Sequence, residues 1–283
     1  MRKLGVLQSL SKVWNFVAFV VPYDALRGLT LVAGKNREEI WSKLPFKNMQ
    51  SLLMLPDGDL MFCSWRDGFF WPFATVEEIY HFRAYDLFFE PKENFTVVDL
   101  GAHVGIYTLK AARKLGMEGR LISVEPEARN YGLLVKNVRF NRCKNVIPVR
   151  LAVSNFEGRA RFYVKSLTFS HSLLSKLQIH DEGNVKVLEA TEVAVTTLSH
   201  LAKILRVGKI DLLKVDVEGV ELEVLEGSID LLSQHKISNI VIAAYHAASN
   251  ALTIKGYLEK LGYEVKITEL SGRKYVHAMS PSK

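Results

Sequence analysis

The chain has 283 residues, of which 48% are hydrophobic and 24% charged. That composition excludes intrinsic disorder and leaves room for one large domain with an extension. The formal charge is +7, and residues 1–50 carry eight Lys/Arg against three Asp/Glu, a balance that suits a solvated face or an anionic partner such as lipid headgroups or nucleic acid. Cys63 and Cys143 stand far apart without metal-ligand spacing, which excludes a disulfide scaffold and a thiolate zinc site and fits a reducing, cytoplasmic compartment.

Residues 1–50 read as helices. Leu7, Leu10, Trp14, Val17 and Val21 recur every three or four positions as one apolar stripe. Such a stripe packs on its own domain or, with basic neighbours, lies on a membrane surface as a peripheral contact. Val13–Val21, interrupted by Asn15, is too short to span a bilayer. Arg2 and Lys3 precede it as in a signal peptide, but Lys12 cuts the apolar core and no small-residue cleavage site follows. Turn signals at Pro56-Asp57-Gly58 and Arg66-Asp67-Gly68 predict hairpin strands within 51–90. "TVEEIYHFRAYDLFFE" predicts a helix from Thr75 that Pro91 ends. Residues 1–74 are thus expected to form a helical and β-hairpin extension, and 75–283 the main domain.

From "FTVVDL" onward, strands and helices alternate, the mark of a mostly parallel α/β sheet. Val104, Tyr107, Thr108, Ala111, Ala112 and Leu115 share a helical face. "RLISVEP" predicts a strand, Ala128–Asn141 a helix, and "NVIPVRLAV" a strand whose Pro148 points to an edge or an irregularity. Residues 158–195 are β-rich around a loop that holds His171 and Ser172. Thr197–Leu205 predicts a helix, "KIDLLKVDV" a strand, Val220–Leu232 a helix, "ISNIVIAAY" a strand and Asn250–Leu261 a helix. "YEVKITEL" and "KYVHAM" read as a closing hairpin about Ser271-Gly272.

The stretch "VVDLGAHVGIYT", Val97 to Thr108, places an acid and two glycines at a strand-to-helix junction. Ligands of open α/β sheets bind beyond the carboxyl ends of the strands. Glycines there allow positive φ and close backbone approach. The spacing G-x-x-x-G after an acid departs from the dinucleotide fingerprint G-x-G-x-x-G. Asp99 at the mouth would repel a pyrophosphate and suit a cationic ligand end. Glu125 ends the next strand about 20 residues on, the position from which an acid grips ribose hydroxyls. A ligand with a ribose and a cationic end is expected, and S-adenosyl-L-methionine is such a molecule.

These segments, with "ISVEPEARNYGLLVKNVRFN", "LAVSNFEG" and "IDLLKVDVEGVELEVLEG", resemble the FkbM family of S-adenosylmethionine-dependent methyltransferases over roughly residues 75–246. The resemblance implies a class I, Rossmann-like methyltransferase fold: a seven-stranded sheet with one antiparallel strand near the C-terminus. It also implies O-methylation, often of sugar hydroxyls in glycans or natural products. By resemblance, Asp99, Gly101, Ala102 and Gly105 line the cofactor's amino-acid end, Glu125 and Pro126 the ribose, Ala152 the adenine, and Asp216 the methyl group. Family members often carry an acid two residues before the His that ends the fifth strand. Here Ala244 stands there, before His246.

Transfer to a hydroxyl needs a base. His246 and Asp216 end neighbouring strands, and imidazole titrates near working pH, so His246 is the first choice and Asp216 the second. Glu218, His171 and Ser172 are candidate acceptor contacts, and Glu221 reads as a helix-dipole partner. No carboxylate partner for Asp216 is visible, so no metal is expected. DNA-base methylation lacks its Pro-Pro-aromatic motif after the fourth strand, and a ribose 2′-O-methylase lacks its Lys near the fifth. The leading expectation is an O-methyltransferase acting on a sugar, a lipid-linked glycan or a related small molecule. An RNA methyltransferase, favoured by charge alone, and a non-catalytic cofactor-binding protein are the alternatives, and dispersed basic residues count against nucleic acid.

Overall fold

The structure is a computed structural model that describes residues 20–22, 50–64, 71–165, 187–246 and 250–281. Two compact units, 1–77 and 78–283, divide the chain.

In the first unit, β1 (Val20–Pro22) pairs in parallel with β2 (Gln50–Met54), and β2 pairs antiparallel with β3 (Leu60–Ser64). The β2–β3 hairpin is the predicted one. Gly58 takes φ +86° in its turn and donates its N–H to Leu55 O at 2.9 Å. Val21 sits in β1 rather than at the end of a helical stripe, because a β-branched pair before a proline favours extended backbone. Positions 7–17 of the stripe, and the Arg66-Asp67-Gly68 turn, lie outside the described residues.

Helix α1 (Trp71–Val76) starts four residues before the expected Thr75, and a π-helical stretch follows at Glu77–His81. Residues 82–90 are turns, not helix. The stop is a left-handed residue: Arg83 takes φ +52°, and Ala84 donates its N–H back to Glu78 O at 3.0 Å. That bond reaches back six residues, one more than a Schellman closure, after a π-helical last turn, and the left-handed position that allows it usually carries glycine. An arginine in that role leaves no signal in the sequence.

The second unit is built on seven strands: β4 (Thr96–Leu100), β5 (Arg120–Val124), β6 (Val146–Val149), β10 (Ile210–Val215), β11 (Ile237–Ala243), β12 (Glu264–Leu270) and β13 (Arg273–Met279). Their order is β12-β13-β11-β10-β4-β5-β6. β13 runs antiparallel to both its neighbours, and the other pairings are parallel. This is the class I methyltransferase arrangement. β6 is an edge, as Pro148 requires. The chain then leaves the sheet, and β7 (Ala152–Val153), β8 (Gly158–Lys165) and β9 (Val187–Thr196) form a small sheet of their own.

Helices α2 (Ile106–Leu115), α3 (Ala128–Phe140), α4 (Leu198–Ile204) and α7 (Ala251–Lys260) match their expected positions. Side-chain caps start three of them, from Glu127, Thr197 and Asn250. The expected helix at 220–232 is two short ones, α5 (Glu221–Glu226) and α6 (Ile229–Ser233). The break falls at Gly227, where a Cβ would meet Ser154 O at 2.1 Å. Leu100, Leu213, Val215, Ile240, Ile242 and their neighbours form the core between sheet and helices.

Candidate functional site

The strand order reverses between β4 and β10, so their carboxyl ends open a crevice at the switch point of the sheet. Gly101 follows β4 and Asp216 follows β10. Gly101 takes φ +76°, and a Cβ on it would stand 1.8 Å from Asp216 O. The close approach for which this glycine is needed is therefore to the neighbouring strand end. Gly105 takes φ +98° at the start of α2, where a Cβ would press on Leu134. Ala102 is buried between them.

Asp99 does not face the crevice. Its side chain is 0% exposed; Lys214 donates to Oδ1 at 2.9 Å and Thr108 to Oδ2 at 2.8 Å. The expectation that a free anion at the mouth selects a cationic ligand loses its ground, because Lys214 neutralises that anion inside the fold. Burial works against the Lys214 charge, but Asp99 and Asp216 outweigh it and raise its pKa. Lys214 Nζ also donates to Gly101 O at 3.2 Å, so the pair holds the glycine loop from beneath.

Glu125 sits at the expected end of β5. Oε2 accepts the His103 N–H and Oε1 the Glu127 N–H, each at 2.9 Å. Burial pushes its carboxyl up to about 7, against those two bonds and a third from the Asn130 side chain. The N–H groups of Gly101, Ala102, His103 and Gly105 all bond within the protein. A pyrophosphate needs such groups free, so the loop opposes a dinucleotide. Pro126 is half-buried beside Glu125. Ala152 is buried against Phe162, Val193 and Val195 in the core of the small sheet, so its side chain is spent there. His171 and Ser172 lie outside the described residues.

On the acceptor side three predicted residues converge. His246 Nε2 is 3.3 Å from Glu218 Oε2 and 3.7 Å from Asp216 Oδ1. Asp216 Oδ2 accepts from the Tyr85 hydroxyl at 2.8 Å. Glu218 takes φ +60° ahead of Gly219 at φ +104°, an uncommon backbone for a non-glycine residue, and one that clusters at functional sites. Glu221, read as a dipole partner, does more. Its side chain is fully buried, and Oε1 accepts from Gly219 N–H at 3.0 Å and from His246 Nδ1–H at 2.8 Å.

His246 is therefore not poised as a base. Burial disfavours its charge, but Glu218, Glu221 and Asp216 raise its pKa to about 10. At neutral pH the ring already carries the proton it was expected to accept. The expectation of no metal rested on Asp216 lacking a carboxylate neighbour, and Glu218 supplies one. Asp216, Glu218 and His246 each offer a ligand atom, all within 4.8 Å of one another.

Residues that sequence reasoning missed support this cluster. Glu78 Oε1 accepts from Tyr275 at 2.6 Å, with the Tyr85 and Tyr245 hydroxyls at 3.1 and 3.2 Å, while Arg273 donates to Oε2 at 2.8 Å. Tyr85 thus joins Glu78 to Asp216. One signal was available: Lys214 is the single cation in β10, flanked by Leu213 and Val215 at the buried end of the strand, which demands a buried partner. Nothing local marks Glu78 or Tyr85.

A family model described as the methyltransferase FkbM domain matches residues 99–265. The methyltransferase sdnD of Sordaria araneosa is 28% identical over 212 residues, 67% of this chain and 81% of that protein. The hexuronic acid methyltransferase AglP of Haloferax volcanii is 26% identical over 208 residues, 70% of this chain and 78% of that protein. The crystal structure of a methyltransferase FkbM from Methylobacillus flagellatus superposes with a TM-score of 0.50 at 18% identity, over 71% of this chain and 47% of that one. This likeness concerns the fold alone, and the chain spans about half of that structure's length. With the family match running from Asp99 at the switch point through to β12, the chain belongs to the FkbM family of methyltransferases.

Proposed function

We propose that this chain is an S-adenosylmethionine-dependent O-methyltransferase whose acceptor is a hydroxyl of a sugar, a glycan or a related small molecule. The observation that carries this reading is the pairing, across one crevice, of a buried ribose-type acid, Glu125, with an acidic pocket at the end of β10. Both Glu125 oxygens accept one backbone N–H each, and a carboxylate oxygen has a second lone pair for a ribose hydroxyl. The occupied loop N–H groups favour a ligand without phosphates. The residues thus fit the cofactor, which the family binds: Glu125 would hold the ribose, and the backbone from Gly101 to Gly105 would line its amino-acid end. When bound, S-adenosylmethionine supplies a methyl carbon whose bond to sulfur breaks, the electron pair staying on sulfur, as the acceptor oxygen bonds to it.

The chain's own part is to orient that oxygen and take its proton. Asp216 Oδ1 is buried and has no hydrogen-bond partner, so it accepts from the incoming hydroxyl and receives the proton as the new C–O bond forms. The charged His246 holds Glu218 and Asp216 in place. Carboxylates that accept from hydroxyl donors suit a polyol, and a relative named for a hexuronic acid supports a sugar acceptor.

Calorimetric titration with S-adenosylhomocysteine tests the cofactor half. Wild type is expected to bind and Glu125→Ala to lose binding. Transfer of labelled methyl to free and p-nitrophenyl-linked hexoses and hexuronic acids tests the other half. Folded wild type that binds no S-adenosylhomocysteine would overturn the reading.

A further inference from the structure

Three side-chain atoms that can ligate a metal, Asp216 Oδ1, Glu218 Oε2 and His246 Nε2, converge at the end of β10. The His246 side chain is 8% exposed. Its Nδ1–H is committed to Glu221, which directs Nε2 at Asp216 Oδ1 and Glu218 Oε2. Yet Nε2 and Asp216 Oδ1 are both buried without a hydrogen-bond partner. A buried polar atom without a partner costs about 1–3 kcal/mol. Two such atoms aimed at one point, with a carboxylate oxygen beside them, make a site for a cation that displaces the Nε2 proton.

We infer that Asp216 Oδ1, Glu218 Oε2 and His246 Nε2 form a binding site for a divalent transition-metal ion, of the manganese, iron or zinc class. Two ligands about 2.1 Å from one ion lie about 3.0 Å apart in an octahedron and about 3.4 Å apart in a tetrahedron. Of the observed separations from Nε2, 3.3 Å lies close to the tetrahedral spacing and 3.7 Å a few tenths of an ångström beyond it. One imidazole and two carboxylates suit these metals, whereas magnesium and calcium prefer all-oxygen sets. Glu221 acts as the carboxylate that orients a metal-bound histidine and fixes its tautomer. Glu218 reaches the site through its left-handed backbone, at φ +60°.

The binding inference stands on this geometry and not on the methyl-transfer reading. Its catalytic consequence does rest on that reading. With an ion seated, Asp216 would serve as a ligand beside Glu218 and His246, and the ion would supply Lewis-acid chemistry that lowers the pKa of an acceptor hydroxyl, whose proton would pass to solvent as the oxygen lone pair attacks the methyl carbon.

The test uses the full chain, stripped with a chelator and titrated with Mn²⁺ while the loss of the free-ion electron paramagnetic resonance signal is followed. One Mn²⁺ per chain is expected. Glu218→Gln and His246→Gln should each weaken binding at least tenfold, and Glu221→Gln by 10–100-fold, as expected for an orienting carboxylate. Glu259→Gln, in an exposed ion pair with Lys255, should leave it unchanged. Circular dichroism checks that Glu218→Gln, whose side chain is partly exposed, keeps the fold. Absence of binding by wild type at millimolar Mn²⁺ and Zn²⁺ overturns the inference, as does binding that Glu218→Gln and His246→Gln leave unchanged. Titration of the same samples with S-adenosylhomocysteine separates the two readings: nucleoside binding without Mn²⁺ binding sinks only the metal site, and the reverse sinks only the methyltransferase reading.

Discussion

Lys214 Nζ stands 2.9 Å from Asp99 Oδ1, on neighbouring strands paired at that same register, with side-chain exposures of 3% and 0%. Removing one partner leaves the other charge buried and uncompensated. Lys214→Met is therefore expected to destabilise the protein by about 3–5 kcal/mol, measured by urea denaturation. The Asp99→Leu/Lys214→Met double variant should cost less than the sum of its singles, because it leaves no orphan charge. Additive losses would show that the pair is not coupled.

Gly101 is where two loops meet. With φ +76° and a Cβ that would stand 1.8 Å from Asp216 O, Gly101→Ala should cost about 3 kcal/mol or more. It should also weaken S-adenosylhomocysteine binding. Gly256, inside α7 with open space around its Cβ position, is the contrast: Gly256→Ala should stabilise by up to about 1 kcal/mol. Equal effects at the two positions, read as urea midpoints, would contradict the crossing at Gly101.

Glu125 should make cofactor affinity depend on pH. Burial raises its carboxyl to about 7 from an ordinary 4.5. A raised acid stabilises the empty fold below pH 4.5, and that contribution is lost as pH rises through 7. Ribose hydroxyls favour the ionised form, so the affinity for S-adenosylhomocysteine should fall as pH drops below about 7, approaching tenfold per unit. Calorimetry at pH 8, 7 and 6 reads this directly, and Glu125→Gln should flatten the profile. A wild-type profile as flat as the variant's would remove Glu125 from the ribose site.

His277 should set part of the acid sensitivity. It is 2% exposed, its Nε2 lies 3.0 Å from Thr268 Oγ1, and burial lowers its pKa from 6.5 to about 4. The fold keeps the ring neutral, so its stabilisation is complete above pH 6.5 and is lost as pH falls towards 4. The slope is on the order of 1.4 kcal/mol per pH unit. The stability difference between wild type and His277→Gln should shrink by that slope between pH 6.5 and 4.5 in urea titrations. A constant difference would refute the assignment.

Much of the fold was legible because its causes are local. Alternating apolar strands, the Thr197 cap of α4 and the Ser271-Gly272 turn act within a few residues. Pro148 marked an edge because a proline cannot donate to a ladder. The errors have equally specific causes. The helix through 75–90 stops at Arg83, a residue type that carries no stop signal, and the helix through 220–232 breaks because Gly227 must pass close to Ser154.

The candidate site divides the same way. By itself the sequence determined the α/β class, the crevice at the β4 and β10 ends, Glu125 at the close of β5, and the family to which these motifs point. Those follow from strand-length periodicity and from glycines at strand ends. Only the tertiary structure decided that Asp99 is spent on Lys214, that Glu221 holds His246 Nδ1, and that Glu218 joins Asp216 at one point. A carboxylate's role depends on which charges the strand register and the turns bring within a few ångströms. Asp99 and Lys214 are 115 positions apart, and Coulomb energy follows distance in space, not along the chain.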